Sequence, residues 1–376
     1  MQDEWRRNLL AFAILLFLPS LSEAQCQRIF TSTICPATDR IYVNNAKALA
    51  ALRLSDGKLQ WQVDIPETEA EEDFTGTAAT ENMVSVFVGV LGARIYAFDA
   101  KTGATSWHIQ TSSRDLISTG HYFVFNDREH WEALTAVDES TGKRIWHHSG
   151  NRPSGEVAFR ASSERAIVTD RFAIEASSGE ILRRWPPAWE VSAAAIGERF
   201  IAIGTSYAGR KMNKLALYSL PDYAPVWVKD DPQGREIAGV AVDSDHVFAA
   251  VNPAGWQFLH PGQIELELLA VPSGDAIWTK TISSSGPLAS PVGLTQGVAV
   301  FTTTESANSR TVQGFDAATG QLKWTVRTDH SIDGVTCAGA TCYLGGEIGE
   351  VLAIDVRTGA QRWYRIPAEV SAPKRP

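Results

Sequence analysis

The stretch Ala97–Trp107 reads AFDAKTGATSW. It recurs as AVDESTGKRIW (Ala136–Trp146), as AIDVRTGAQRW (Ala353–Trp363) and, changed only at its first position, as GFDAATGQLKW (Gly314–Trp324). Looser copies are ALRLSDGKLQW, ending at Trp61, and LLAVPSGDAIW, ending at Trp278. Two more are degenerate: AIEASSGEILRRW keeps Gly179 and moves its tryptophan to Trp185, and LYSLPDYAPVW keeps Trp227 with Tyr223 in the glycine's place. The eight tryptophans are spaced by 46, 39, 39, 42, 51, 46 and 39 residues. That period is the length of a four-stranded propeller blade.

The residue types explain one another. Ile95 to Asp99 alternates as a strand, Asp99 and Thr102 can bond the backbone N–H groups of the turn, and Gly103 supplies a positive φ. The chain then returns as a strand carrying Trp107, a flat side chain able to fill the space between neighbouring blades. Upstream of each copy lie two more β-type runs, such as Met83 to Val88, and long amphipathic helical patterns are missing. The reading is all-β: an eight-bladed β-propeller over residues 25–376. Its docking positions are Trp61, Trp107, Trp146, Trp185, Trp227, Trp278, Trp324 and Trp363, with Gly57, Gly103, Gly142, Gly274, Gly320 and Gly359. The first blade lacks an obvious innermost strand. Either the tail Glu369–Pro373 or Gln27–Thr31 completes it.

Composition agrees. The 376 residues are 44% hydrophobic and 20% charged, enough for a large core. With 34 basic against 43 acidic side chains the formal charge is -9, which argues against nucleic-acid binding. At the N-terminus two arginines precede the apolar run Leu9 to Leu18, followed by Pro19 and the small residues Ser22 and Ala24. This reads as a secretory signal over residues 1–24. The run is too short to span a bilayer, which needs roughly 20 residues, and no second apolar stretch approaches that length. The mature protein is expected to be exported, periplasmic or secreted, without a transmembrane span.

Cys26 follows Glu23-Ala24-Gln25, which does not suit a lipidation site, so association with an outer membrane would not be through a lipid anchor. An even cysteine count in an oxidising compartment suggests disulfides. Of the three connectivities open to Cys26, Cys35, Cys337 and Cys342, pairing 26–35 with 337–342 is favoured. A tight hairpin could hold the second pair within reach.

The AxDxxTGxxxW repeat resembles the tryptophan-docking motif of the pyrroloquinoline-quinone-type propellers, over essentially the whole mature chain. The resemblance implies two alternatives: quinone-dependent dehydrogenases of alcohols or sugars, and the propeller subunit of the machinery that assembles outer-membrane β-barrels. The first would carry long insertions, often adjacent cysteines, and Glu, Asn and Asp binding calcium beside the quinone. The blades here are near the minimum length, there is no Cys-Cys or CxxCH, and no loop gathers a calcium set. The expectation is therefore a non-catalytic, monomeric interaction scaffold of the cell envelope without cofactor or metal, its partners being outer-membrane assembly proteins. The alternative is a minimal dehydrogenase with pyrroloquinoline quinone and calcium.

Partner-binding candidates follow from position. Arg114, Arg152 and Arg235 each fall between one blade's tryptophan strand and the next blade's first strand, so they would share one mouth of the ring and offer planar forks to a partner. Glu67 to Asp73 form an acidic connector, and an insertion between the second and third strands of the sixth blade carries Trp256 and Phe258. His147 and His148 would point to opposite faces of a strand. No GxSxG, P-loop or dinucleotide fingerprint occurs.

Overall fold

In the computed structural model each repeat folds as one antiparallel sheet whose strands are consecutive in sequence. The structure describes residues 27–28, 33–36, 39–44, 48–66, 75–89, 93–111, 113, 115–127, 133–149, 157–187, 189–205, 213–231, 233–252, 262–284, 292–306, 309–328, 332–346 and 350–366. The eight sheets span Gln27–Asp64, Thr75–Gln110, Leu116–His148, Phe159–Arg184, Val191–Asp231, Glu236–Ser284, Gly293–Thr328 and Ile332–Arg365. They are blades 1 to 8 of the propeller expected from the repeat, and no helix occurs among the described residues.

Each blade is sandwiched between two others, so its middle strands are apolar on both faces. Met83–Val88 is buried throughout, whereas the outer strand Thr105–Gln110 alternates with solvent. The interior is accordingly divided among eight apolar clusters, one per junction. Tyr42, Leu49 and Ala51 of blade 1 meet Val84, Val86 and Phe98 of blade 2, and the series continues to Tyr343, Ala353 and Trp363 of blade 8 against Ile41, Val43 and Leu52 of blade 1. Inner strands also touch in cyclic order, that of blade 8 (Ile332–Ala338) against that of blade 1 (Thr33–Pro36).

The missing strand of blade 1 comes from the N-terminal side. Thr33–Pro36 pairs with Arg40–Asn44, and Gln27–Arg28 adds a fifth strand beyond it. The inner strand thus lies a few residues later than Gln27–Thr31, and the tail 369–373 is outside the described residues. No described blade mixes strands from the two chain ends. Closure rests on side-chain docking.

That docking is repeated around the ring. The indole Nε1 of Trp107 donates to Glu139 O at 2.8 Å, three residues before Gly142. Trp61, Trp146, Trp227, Trp278 and Trp324 do the same to Ala100, Ala176, Val271, Ala317 and Val356. At the closure Trp363 donates to Leu54 at 2.9 Å. Gly103 shows why the turn takes glycine. Its φ is +74°, and an added Cβ would stand 2.8 Å from the Trp61 ring.

Blade 4 departs from the pattern: Trp185 packs in the junction with blade 5 but does not dock on that blade's turn. Arg183, not Trp185, occupies the docking position four residues after Gly179, and its guanidinium donates to Tyr223 O at 2.8 Å. Its Cζ lies 4.7 Å from the Tyr218 ring centroid. Trp185 instead donates to Thr169 O within its own blade while packing on Tyr218. The reason is Tyr223, which holds φ 54° where the other turns have glycine and whose ring takes the room an indole would need. Introducing Arg183→Trp alone should therefore destabilise the protein by about 1–3 kcal/mol through overpacking. Combining it with Tyr223→Gly should recover most of that loss in urea melts, and additivity of the two costs would contradict the assignment.

The turn aspartates are held below the usual carboxylate range: Asp99 by the Thr102 hydroxyl, Asp138 by Ser140 and Thr141, Asp316 by Thr319, and Asp355 by Arg362 and Thr358. A depressed folded pKa contributes stability above the unfolded carboxylate value, near 4, that is lost as pH falls through the folded one. Asp99→Asn should make the acid limb of stability against pH shallower. An unchanged limb would contradict this.

The disulfide Cys337–Cys342 joins residues directly opposite in the hairpin of blade 8, and Cys342 is wholly buried against blade 7. Cys26 lies outside the described residues.

Candidate functional site

Four antiparallel strands per blade sort the loops onto two faces. The tryptophan-docking turns lie on one, and the links from outer strand to next inner strand lie on the other with the second-to-third-strand loops. The strand ends flanking Arg114, Arg152, Arg235, the acidic connector and the blade 6 insertion all open on this connector face. Arg114, Arg152, Glu67 to Asp73, Trp256 and Phe258 are themselves outside the described residues.

Beneath this face lies a layer of buried polar side chains that tie the connectors down. Asn126, at the end of its strand in blade 3, accepts from Ser113 Oγ at 2.8 Å and donates to Val157 O at 3.0 Å, gripping the links before and after its blade. In blade 4 the Asp170 carboxylate accepts from Ala158 N at 3.1 Å, with Arg171 Nε at 3.3 Å. Burial pushes the Asp170 carboxyl above the usual range, against the Ala158 N–H bond and the Arg171 charge. Arg160 Nε donates to Val191 O of blade 5 at 2.8 Å. Asn213 donates to Arg235 O at 2.7 Å. Sequence reading missed this layer, although a signal was present: IYVN, FVFN and AAVN end equivalent strands in blades 1, 3 and 6, at the buried Asn44, Asn126 and Asn252.

Arg235 is the one candidate arginine among the described residues, and its fork does not face a partner. Nε donates to Asp231 Oδ2 at 3.0 Å, one terminal nitrogen bonds Glu265, and the other lies 3.5 Å from Glu267. Asp231 also accepts from the backbone N–H of Gln233 and Arg235. Burial works against the Arg235 charge, but the carboxylates outweigh it and raise its pKa. Glu267 is pushed up by burial and by Glu265, while the bond from Arg235 holds Glu265 down in spite of burial. The expectation that Arg235 reads a partner is therefore corrected: the guanidinium is committed to the three carboxylates that surround it.

The same cluster bears on a calcium-bound quinone. Three carboxylates converge on the Arg235 guanidinium, and the described residues hold no group of His, Cys, Asp and Glu in metal-binding geometry.

Comparison with known proteins agrees with the architecture. The designed Ika8 protein is similar at 12% identity over 90% of this chain and all of that one, with a TM-score of 0.62. A europium-containing methanol dehydrogenase matches at 12% identity over 87% of this chain and 83% of that chain, TM-score 0.52. BamB from Moraxella catarrhalis matches at 15% identity over 91% and 87%, TM-score 0.43. At such identities the first two likenesses show the fold alone, and nothing rests on the third. No curated protein matches the sequence. A family model described as outer membrane protein assembly factor BamB matches residues 45–186 and 211–374, well over half of the sequence. The chain belongs to that family.

Proposed function

We propose that this protein is an exported, non-catalytic scaffold of the cell envelope that takes part in outer-membrane protein assembly through the connector face of its ring. The observation that carries the reading is what the buried polar groups of that face do. Asn126, Asp170, Asn213 and Asp231 are engaged with connector backbone, holding loops for display. Family membership supports the assembly role. The experiment is affinity capture of a tagged full-length protein after in-cell crosslinking. Recovery of barrel-assembly subunits or nascent outer-membrane barrels is expected. Recovery of the protein alone, or dye-linked alcohol oxidation by the purified protein given pyrroloquinoline quinone and calcium, would overturn the reading.

A further inference from the structure

The ring is not level on its connector face. Docking turns fix all blades to a common height on the opposite face, so differences in strand length emerge here. Every strand of blade 4 has four residues, and its second and third strands are joined by Asp170 and Arg171 alone. The third strands of its neighbours, Ala133–Asp138 and Asn213–Ser219, have six and seven residues. At about 3.3 Å per residue, blade 4 lies roughly 7–10 Å below them. Among the described residues this makes a notch between the strand ends of blades 3 and 5.

Its side chains are cationic and aromatic. Arg171 is 38% exposed, and Arg184, at the connector end of its outer strand, is exposed and sits with Cζ 5.5 Å from the Phe172 ring centroid. Arg160 and Trp189 are half-buried, and Lys214 Nζ stands 5.8 Å from the Trp189 ring. The acids nearby are mostly answered: Asp170 by Arg171 and Ala158 N–H, and Asp230 by Lys214, which leaves Glu190. Arg160 spends one donor of five on Val191, and guanidinium forks suit carboxylates.

We propose that this notch is the seat for an extended acidic segment of a partner protein. Depth argues for an extended chain, since a helix with its side chains is about 10–12 Å across. Charge argues for carboxylates, because Arg160 and Arg184 remain beyond the Arg171–Asp170 and Lys214–Asp230 pairs, against Glu190 alone, on a protein whose formal charge is -9. Trp189 supplies a flat surface for an apolar residue of the same segment. The proposal rests on the scaffold reading and narrows it to one sector.

The test is fluorescence anisotropy with the purified full chain, using a short labelled peptide of alternating Asp and Tyr and its Lys-and-Tyr counterpart. The acidic peptide should bind, more weakly as salt rises, and the basic one should not. Arg184→Glu with Lys214→Glu should weaken binding at least about tenfold, and the Gln pair should have a smaller effect and report whether folding is retained. Lys58→Glu, on the opposite face, should leave binding unchanged. Equal binding of both peptides, no binding, or an unaffected Glu pair would overturn the notch. If the Glu pair still captures the same envelope partners in cells, the scaffold reading stands and the notch falls.

Discussion

Trp363→Ala should be the most damaging single tryptophan substitution in the ring. Truncating a buried tryptophan costs about 3–5 kcal/mol in general, and Trp363 is 6% exposed among Ile41, Val43, Leu52 and Tyr343. It also supplies the indole bond to Leu54, and its ring lies against Gly57. Trp107→Ala removes the same kind of contacts, but blades 2 and 3 remain joined by a short connector. Blades 8 and 1 are joined by nothing of the kind, and the bond from Trp363 to Leu54 closes a separation of 309 residues. Forming so long a loop carries an entropy cost that only packing at this junction offsets. Denaturation by urea should show the larger loss for Trp363→Ala, with early hydrogen exchange in blades 1 and 8. A loss equal to that of Trp107→Ala, spread evenly around the ring, would contradict closure by docking. Arg365, whose Nε donates to Gly57 O at 3.1 Å, should contribute a smaller share of the same effect.

Arg235→Ala should cost about 2–4 kcal/mol at neutral pH, because removing one partner of a partly buried ionic cluster leaves the others uncompensated. The figure lies below that for a fully buried pair, since Glu265 keeps 30% of its side-chain surface. Without the guanidinium, Asp231, Glu265 and Glu267 repel one another while charged, and protonation relieves that repulsion. Such groups destabilise at higher pH, and the penalty fades as pH falls through the carboxylate range. The gap between wild type and Arg235→Ala should therefore narrow from pH 7 towards pH 4. In the wild type Glu267 already has a raised pKa, so its share of stability is lost as pH rises through that value. Adding Glu267→Gln to Arg235→Ala should recover part of the loss. A pH-independent gap would show that Arg235 acts through packing alone.

The repeat made the ring legible because its turn chemistry is local. Asp, Thr and Gly act within a few residues of one another, and Trp107 declares its partner by spacing. Blade 4 was legible only in part. Gly179 fixed the turn, but the tryptophan two residues late drew attention from Arg183, since docking an arginine depends on what stands across the junction at Tyr223. The inner strand of blade 1 was ambiguous because TICP is short and carries no turn signature, and pairing with Arg40–Asn44 is a tertiary fact. The role of Arg235 was unreadable for the same reason. Its partners Glu265 and Glu267 lie some 30 residues away, on a strand whose alternation reads only as amphipathic.

The central claim, that the connector face is the working surface, is tested most directly by site-specific photocrosslinking in cells. A crosslinking amino acid would replace Arg114 or Arg152, in links whose flanking strand ends open on that face, and Lys101 or Lys143 on the docking face. Adducts with outer-membrane assembly proteins from Arg114 and Arg152, and none from the two lysine positions, are the expected result. Adducts confined to the lysine positions, or absent from all four, would contradict it.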